Sequence, residues 1–224
     1  MIEASQTALI YERLREAVLS LELPPGARLS ERSLEADYGA SRTPVRAALM
    51  RLQSDGLVER EGRAWAVAPI DLDEVAAVGE FRESVEAAGV RLACERAADA
   101  DVAAIAELLA AFPPDTDEAE GVRRGADFHI ELASLTGNPF FSDAVRSCMT
   151  RLARTRWLEV RTPESRQQAW QEHSKILDAV RRRDADAAAS LLIEHSRTTR
   201  DRLLQSLRAD RRTFGAHGLR VVGA

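Results

Sequence analysis

From residue 71 to about residue 209 the apolar side chains recur only at the three- and four-residue spacing of a helix face, and no stretch alternates as a half-buried strand requires. The run is cut at Asp99-Ala100-Asp101, Pro113-Pro114-Asp115, Gly137-Asn138-Pro139, Thr162-Pro163 and Asp184-Ala185-Asp186. At each cut a proline, a glycine or a capping side chain ends one helix and starts the next. About six helices result, and connections this short favour antiparallel neighbours in a bundle. Composition points the same way. Aromatics are only 5% of the 224 residues, and Ala, Leu, Arg and Glu dominate, so the fold class is mainly α. The longest apolar run, residues 108–112, falls far short of the ~20 residues that cross a bilayer. No membrane partner is expected, and the chain reads as cytoplasmic.

Residues 1–70 form a separate domain with a different plan. Ile10, Leu14, Ala17, Val18 and Leu21 share one helix face, and Leu23-Pro24-Pro25-Gly26 stops that helix. Ser30 is placed to cap a short second helix ending near Tyr38, with Glu31 favoured in its first turn and Gly39 free to close it in the left-handed conformation. Ser41 is placed to cap a third helix, whose first turn tolerates Pro44 and whose inner face is Val45, Ala48, Leu49 and Leu52. Residues 57–60 and 64–68, separated by Glu61-Gly62-Arg63, read as a hairpin with a glycine turn. The boundary falls at residues 69–74. A helical domain then runs over 71–209, and residues 210–224, with three glycines and little periodicity, are expected to form a flexible tail.

Two constellations carry chemistry. A short helix, a glycine turn and a second helix with a polar leading edge is the helix-turn-helix pattern, whose second helix enters the DNA major groove. Here the leading edge is Ser41-Arg42-Thr43-Pro44-Val45-Arg46, and Arg42, Thr43 and Arg46 can point away from the apolar face. Guanidinium groups suit guanine or phosphate, and threonine suits phosphate or a thymine methyl. Arg32 and Arg63 would flank the groove. Yet residues 1–70 hold nine Arg and ten acidic residues, so affinity must come from local placement and from two half-sites on a dimer. The second constellation is a set of three histidines on apolar stripes. His129 falls with Leu132 and Ala133, His173 with Ile176 and Val180, and His195 with Leu191 and Leu192. Three inward histidines on three helices of one bundle build either hydrogen-bonded core or an internal metal site. Cys94 and Cys148 lack metal or disulfide spacing and read as small buried hydrophobes, and His217 in the tail has no assigned role.

At these residues the chain resembles known families. Pro24-Pro25-Gly26-Ala27-Arg28-Leu29-Ser30-Glu31, the stretch from Ser41 to Leu49, and Arg51-Leu52-Gln53-Ser54-Asp55-Gly56-Leu57-Val58 resemble the winged helix-turn-helix of the GntR superfamily of bacterial transcription regulators. The resemblance implies DNA contacts at Arg32, Ser41, Arg42, Thr43 and Arg46, with Gly62 and Arg63 on the wing. Glu80-Phe81-Arg82-Glu83 with Glu86, the stretch from Phe128 to Pro139, Glu172 through Val180, and Ile193-Glu194-His195 resemble the all-helical FCD ligand-binding domain of FadR-type regulators. That resemblance implies a homodimer on a palindromic operator, and a small organic acid bound near Arg82 and Asn138. It also implies a divalent metal, zinc or nickel, on His129, His173 and His195. One position departs: where such domains carry an aspartate ligand four residues before the first histidine, this chain has Gly125, and Asp127 lies on another face of the helix. The expected function is a ligand-responsive regulator, a repressor released by the acid. The alternatives are a ligand-independent dimeric regulator and a metal-dependent hydrolase, and against the latter the sequence has no HExxH, no G-x-S-x-G and no phosphate loop.

Overall fold

The computed structural model describes residues 6–111, 118–156, 158, 160–216 and 219–223. It divides into two compact units, Met1–Asp73 with Leu207–Ala224, and Glu74–Ser206.

In the first unit, α1 (Gln6–Leu19), α2 (Glu31–Asp37) and α3 (Arg42–Ser54) surround an apolar core. Ile10, Leu14 and Val18 face Val45, Leu49 and Leu52, all at most 2% exposed, and Trp65 and Val67 close the core from the sheet. The caps account for the helix boundaries. Ser30 accepts from the Ser33 N–H at the start of α2, and Gly39 takes φ 56° just past its end. Ser41 occupies the N-cap position of α3 in extended backbone, but its side chain makes no capping hydrogen bond; the expectation of a side-chain cap is corrected there.

Three antiparallel strands lie in the order β1 (Arg28–Leu29), β3 (Ala64–Val67), β2 (Val58–Glu61). Glu61 pairs with Ala64 across the two-residue turn Gly62-Arg63, and Gly62 at φ 62° supplies the left-handed backbone such a turn needs. The hairpin is the expected wing. The strand β1 was not legible, because two residues carry no period.

The second unit is helical. Its helices are α4 (Leu72–Arg96), α5 (Asp99–Ala110), α6 (Glu118–Ser134), α7 (Pro139–Arg156), α8 (Pro163–Arg181) and α9 (Ala185–Ala209), with α4 beginning and α9 ending in the first unit. Gly137 at φ 67° turns the chain ahead of α7. A capping box between Thr162 and Ser165, with Pro163 in the first turn, starts α8. Phe128, Ile176, Ala188 and Leu192, none above 1% exposed, are the centre of its core. The cut expected at Pro113-Pro114-Asp115 lies outside the described residues.

The largest difference from expectation is the tail. Residues expected to be flexible form α10 (Arg211–Ala216) and β5 (Val221–Val222), and β5 pairs in parallel with β4 (Ile70–Asp71). Ile70 N–H donates to the Arg220 carbonyl at 2.9 Å, Arg220 N–H donates to the Pro25 carbonyl at 3.1 Å, and the Arg220 side chain pairs with Glu61 at 2.5 Å. His217 lies outside the described residues. Truncation after Asp210 should therefore speed hydrogen exchange at Ile70 by about fivefold, the equivalent of about 1 kcal/mol for one hydrogen bond, while Leu49 and Leu52 stay protected. Residue-resolved exchange measurements check this, and an unchanged Ile70 would show that the pairing carries no stability.

Candidate nucleic-acid interface and histidine cluster

The first candidate site is a groove lined by Arg28, Arg32, Arg42, Arg46, Arg60 and Arg63 together with Glu31, Gly62 and Trp65. The recognition helix α3 begins at Arg42, so its first turn carries Arg42, Thr43 and Arg46 outward while Val45, Ala48 and Leu49 are buried behind them. The side chains of Arg42 and Arg46 are 67% and 48% exposed. Both nonetheless have a fixed partner. Arg42 Nε donates to Glu31 Oε2 at 2.8 Å, Arg46 Nε donates to Glu31 Oε1 at 3.1 Å, and Trp65 Nε1 donates to the same Oε1 at 3.0 Å. The hydrogen bond from Arg42, helped by Trp65 and the charge of Arg46, holds the Glu31 carboxyl below its ordinary range against the opposing effect of burial. Arg60 stacks over the Trp65 ring at 3.9 Å. Of the residues read from sequence as DNA contacts, Arg32, Arg42, Arg46, Gly62 and Arg63 line this groove. Arg28 and Arg60 were missed, although Arg28 sits inside a motif stretch. Glu31 was read only as a helix-start acid.

The second candidate site lies inside the bundle. His129 on α6, His173 on α8 and His195 on α9 are 1%, 5% and 6% exposed, and one ring nitrogen from each lies within 4.8 Å of the other two. Nε2 of His195 is 3.3 Å from Nε2 of His173 and 3.3 Å from Nε2 of His129. Nδ1 of His195 lies 2.6 Å from Glu172 Oε2, so the Nδ1–H donates to that carboxylate. Nδ1 of His129 lies 2.9 Å from Glu86 Oε1, off the line of a good hydrogen bond. Phe128 stacks on His173 with ring centres 4.2 Å apart. Burial first, and then the charge of Arg82 on His129 and the neighbouring histidines on His173, push both imidazoles well below their ordinary range, so both are neutral.

Arg82 belongs to this cluster. Its Nε donates to Glu86 Oε2 at 3.0 Å, and its terminal nitrogen lies 2.8 Å from Nε2 of His129. Arg82 thus joins Glu86, one helical turn on, to the His129 ring. Ser196 adds a hydrogen bond to Glu86 at 3.1 Å. Gly125 lies one helical turn before His129, and a Cβ built there would meet the Arg156 guanidinium at 2.7 Å. A cationic side chain thus fills the space of the expected carboxylate. Nothing in the sequence singled out Arg156, because arginine is so common in this chain. Asn138 has a local partner. Its side-chain oxygen accepts from the Phe140 N–H at 3.1 Å, a local cap at the start of α7. Cys94 and Cys148 are buried free thiols, each pushed up chiefly by burial.

Nitrogen ligands at about 2.0–2.1 Å around a tetrahedral zinc stand about 3.3 Å apart, which is the separation of the two closest Nε2 pairs here. A carboxylate on the opposite ring nitrogen, as Glu172 at His195, is what metal-ligating histidines usually carry. Two of the three nitrogen pairs have that 3.3 Å spacing, the whole set lies within 4.8 Å, and no carboxylate ligand stands at Gly125, so closing on one ion asks the His129 and His173 rings to draw together.

Comparison with known proteins places these features. Residues 6–67 match the family described as bacterial regulatory proteins, gntR family, and residues 77–198 match the FCD domain. The HTH-type transcriptional repressor NanR of Citrobacter rodentium is 30% identical over 84% of this chain and 81% of its own length. An uncharacterized HTH-type transcriptional regulator of Streptomyces ambofaciens is 34% identical over 86% of this chain and 82% of its own. The solved structure of McbR/YncC from E. coli superposes with a TM-score of 0.73 at 22% identity, covering 91% of this chain and 99% of that one, a likeness of fold. These relatives are regulators, and the hydrolase alternative falls with them. Among the described residues no helix is long and apolar enough to cross a membrane. A winged helix-turn-helix followed by an FCD domain makes this chain a member of the GntR family of DNA-binding transcription regulators.

Proposed function

We propose that the protein is a cytoplasmic, homodimeric repressor that holds a palindromic operator through the leading edge of α3 and releases it when a small organic acid binds beside the histidine cluster. The observation that carries this reading is the buried meeting of three imidazoles with Arg82 in the unit that follows the winged domain. A planar, permanently charged guanidinium at 3% exposure is a receptor for a carboxylate. The acid shifts operator binding only by the difference in its affinity for the two dimer geometries. Dimerisation is supported by the charge of the winged domain: at nearly balanced charge one half-site holds DNA weakly, and two add.

A divalent cation in the cluster would be held by Nε2 of His129, His173 and His195, and neutral imidazoles suit zinc or nickel. Such an ion supplies an electrophilic anchor for the carboxylate of the acid. Glu172 supports the His195 ring from its Nδ1 side, Glu86 Oε1 lies 2.9 Å from Nδ1 of His129, and Arg156 stands at Gly125. The carboxylate of the acid would then be the anion available to such an ion. A second reading has its own observation. The Arg82 terminal nitrogen, 2.8 Å from Nε2 of His129, stands close to where the ion would sit, which favours a metal-free pocket in which arginines and histidines take the acid directly.

Two outcomes are expected. A folded Arg42→Ala, Arg46→Ala protein should lose operator affinity by ~1–3 kcal/mol for each arginine that reads a base, and unchanged affinity in a gel-shift titration removes the DNA assignment. Elemental analysis of protein purified without a nickel column should find close to one zinc or nickel per chain. Gly125→Asp, which has only the flexible tip of Arg156 to displace, should then raise metal affinity by about tenfold or more, since losing even an outer partner typically costs that much. Absence of metal in both proteins after excess zinc leaves the metal-free pocket, and calorimetry of Arg82→Met against small carboxylates then tests it: undiminished binding removes that too.

A further inference from the structure

Glu31 is the one acid among the groove residues, and its position is unusual for a surface that meets a polyanion. It opens α2 with its side chain 13% exposed, while the arginines it binds stand 67% and 48% exposed around it. Its two oxygens take three donors: Arg42 Nε at 2.8 Å on one, Arg46 Nε at 3.1 Å and Trp65 Nε1 at 3.0 Å on the other. A carboxylate so engaged is not presented to a base edge. Each arginine is held through Nε. Of the five N–H groups of a guanidinium, the four on the terminal nitrogens are thereby left to point onward, and that terminal pair is the fork that bridges guanine O6 and N7. The same carboxylate reaches the wing, because Trp65 lies on β3 and carries Arg60 over its ring.

Two consequences act on different parts of the binding energy. A negative charge in the groove repels every duplex alike, and in a domain with nine Arg and ten acidic residues over 1–70 nothing broad offsets it. Fixing the two forks helps only the duplex whose guanines or phosphates meet them, because arginines already held lose less side-chain freedom on binding. We propose that Glu31 is a specificity-determining positioning residue, which weakens binding to all DNA and strengthens discrimination between sequences. The proposal rests on the reading of Arg42 and Arg46 as DNA contacts.

The test uses the full chain, an operator duplex selected in vitro from a random pool by the wild-type protein, and a scrambled duplex of equal length and base composition. Fluorescence anisotropy is recorded with both duplexes across a range of salt. Glu31→Ala should bind the scrambled duplex about threefold more tightly at low salt, a gain that fades as salt screens it. The selected duplex should be bound about tenfold more weakly. Glu31→Gln, which keeps the length and one carbonyl acceptor, should fall between the two. Equal shifts on both duplexes, or a discrimination ratio unchanged from wild type, overturn the proposal, and loss of thermal stability with uniform weakening is the same result by a structural route. The double variant Arg42→Ala, Arg46→Ala separates the layers. If it discriminates as well as wild type, the arginine assignment fails and takes this proposal with it. If it loses discrimination while Glu31→Ala retains it, only the role of Glu31 falls.

Discussion

Burying an imidazole in a helical bundle is tolerable only if its nitrogens find partners, and here three must be satisfied in one place. His129, His173 and His195 are almost entirely out of water. That requirement explains why the apolar core is interrupted where it is. Glu172 sits on α8 against His195, Glu86 on α4 against His129, and Ser196 beside Glu86 on the helix that carries His195. Buried Glu86 in turn needs a counter-charge, and Arg82 one turn earlier supplies it. Four helices are thus held in register by polar contacts while Phe128, Ile176 and Leu192 supply the bulk of the packing. Truncating any one partner would leave another buried and unpaired, so the cluster constrains α4, α6, α8 and α9 together.

The same logic operates at the surface of the winged domain with opposite emphasis. There the acid is the shielded member and the arginines are exposed. The fold puts Glu31 at a helix start, where the helix dipole favours a negative charge, and within reach of a strand and a second helix. One carboxylate therefore relates the wing to the recognition helix.

Much of this architecture could be read from the chain because it is written in periods and punctuation. The inner face of α3, the glycine at the wing turn, and Thr162 with Pro163 at the start of α8 are local signals, and each forms as its neighbours dictate. The histidines could be placed inward for the same reason, since they ride on apolar stripes. What could not be read depends on residues distant in sequence. Arg156 fills the space beside Gly125 only because α6 and α7 pack. The three donors on Glu31 come from residues 11, 15 and 34 positions away. Strands of two residues have no period at all, so β1, β4 and β5 were invisible. Asn138 shows how a motif stretch can also carry local structure: its side-chain oxygen caps the start of α7.

The pairing of β4 with β5 has a consequence for the order of synthesis. The three-helix core and the wing of the first unit are encoded in one continuous stretch and can close as soon as Val67 has left the ribosome. The second sheet cannot. Its two strands flank the whole helical bundle in the chain, so Ile70 waits for Val221 until α4 to α9 have been made. Long-range parallel pairing is slow for the same reason, because the intervening loop must be closed before any contact is gained. The nascent chain thus holds a folded DNA-reading core before its two-strand clasp can form.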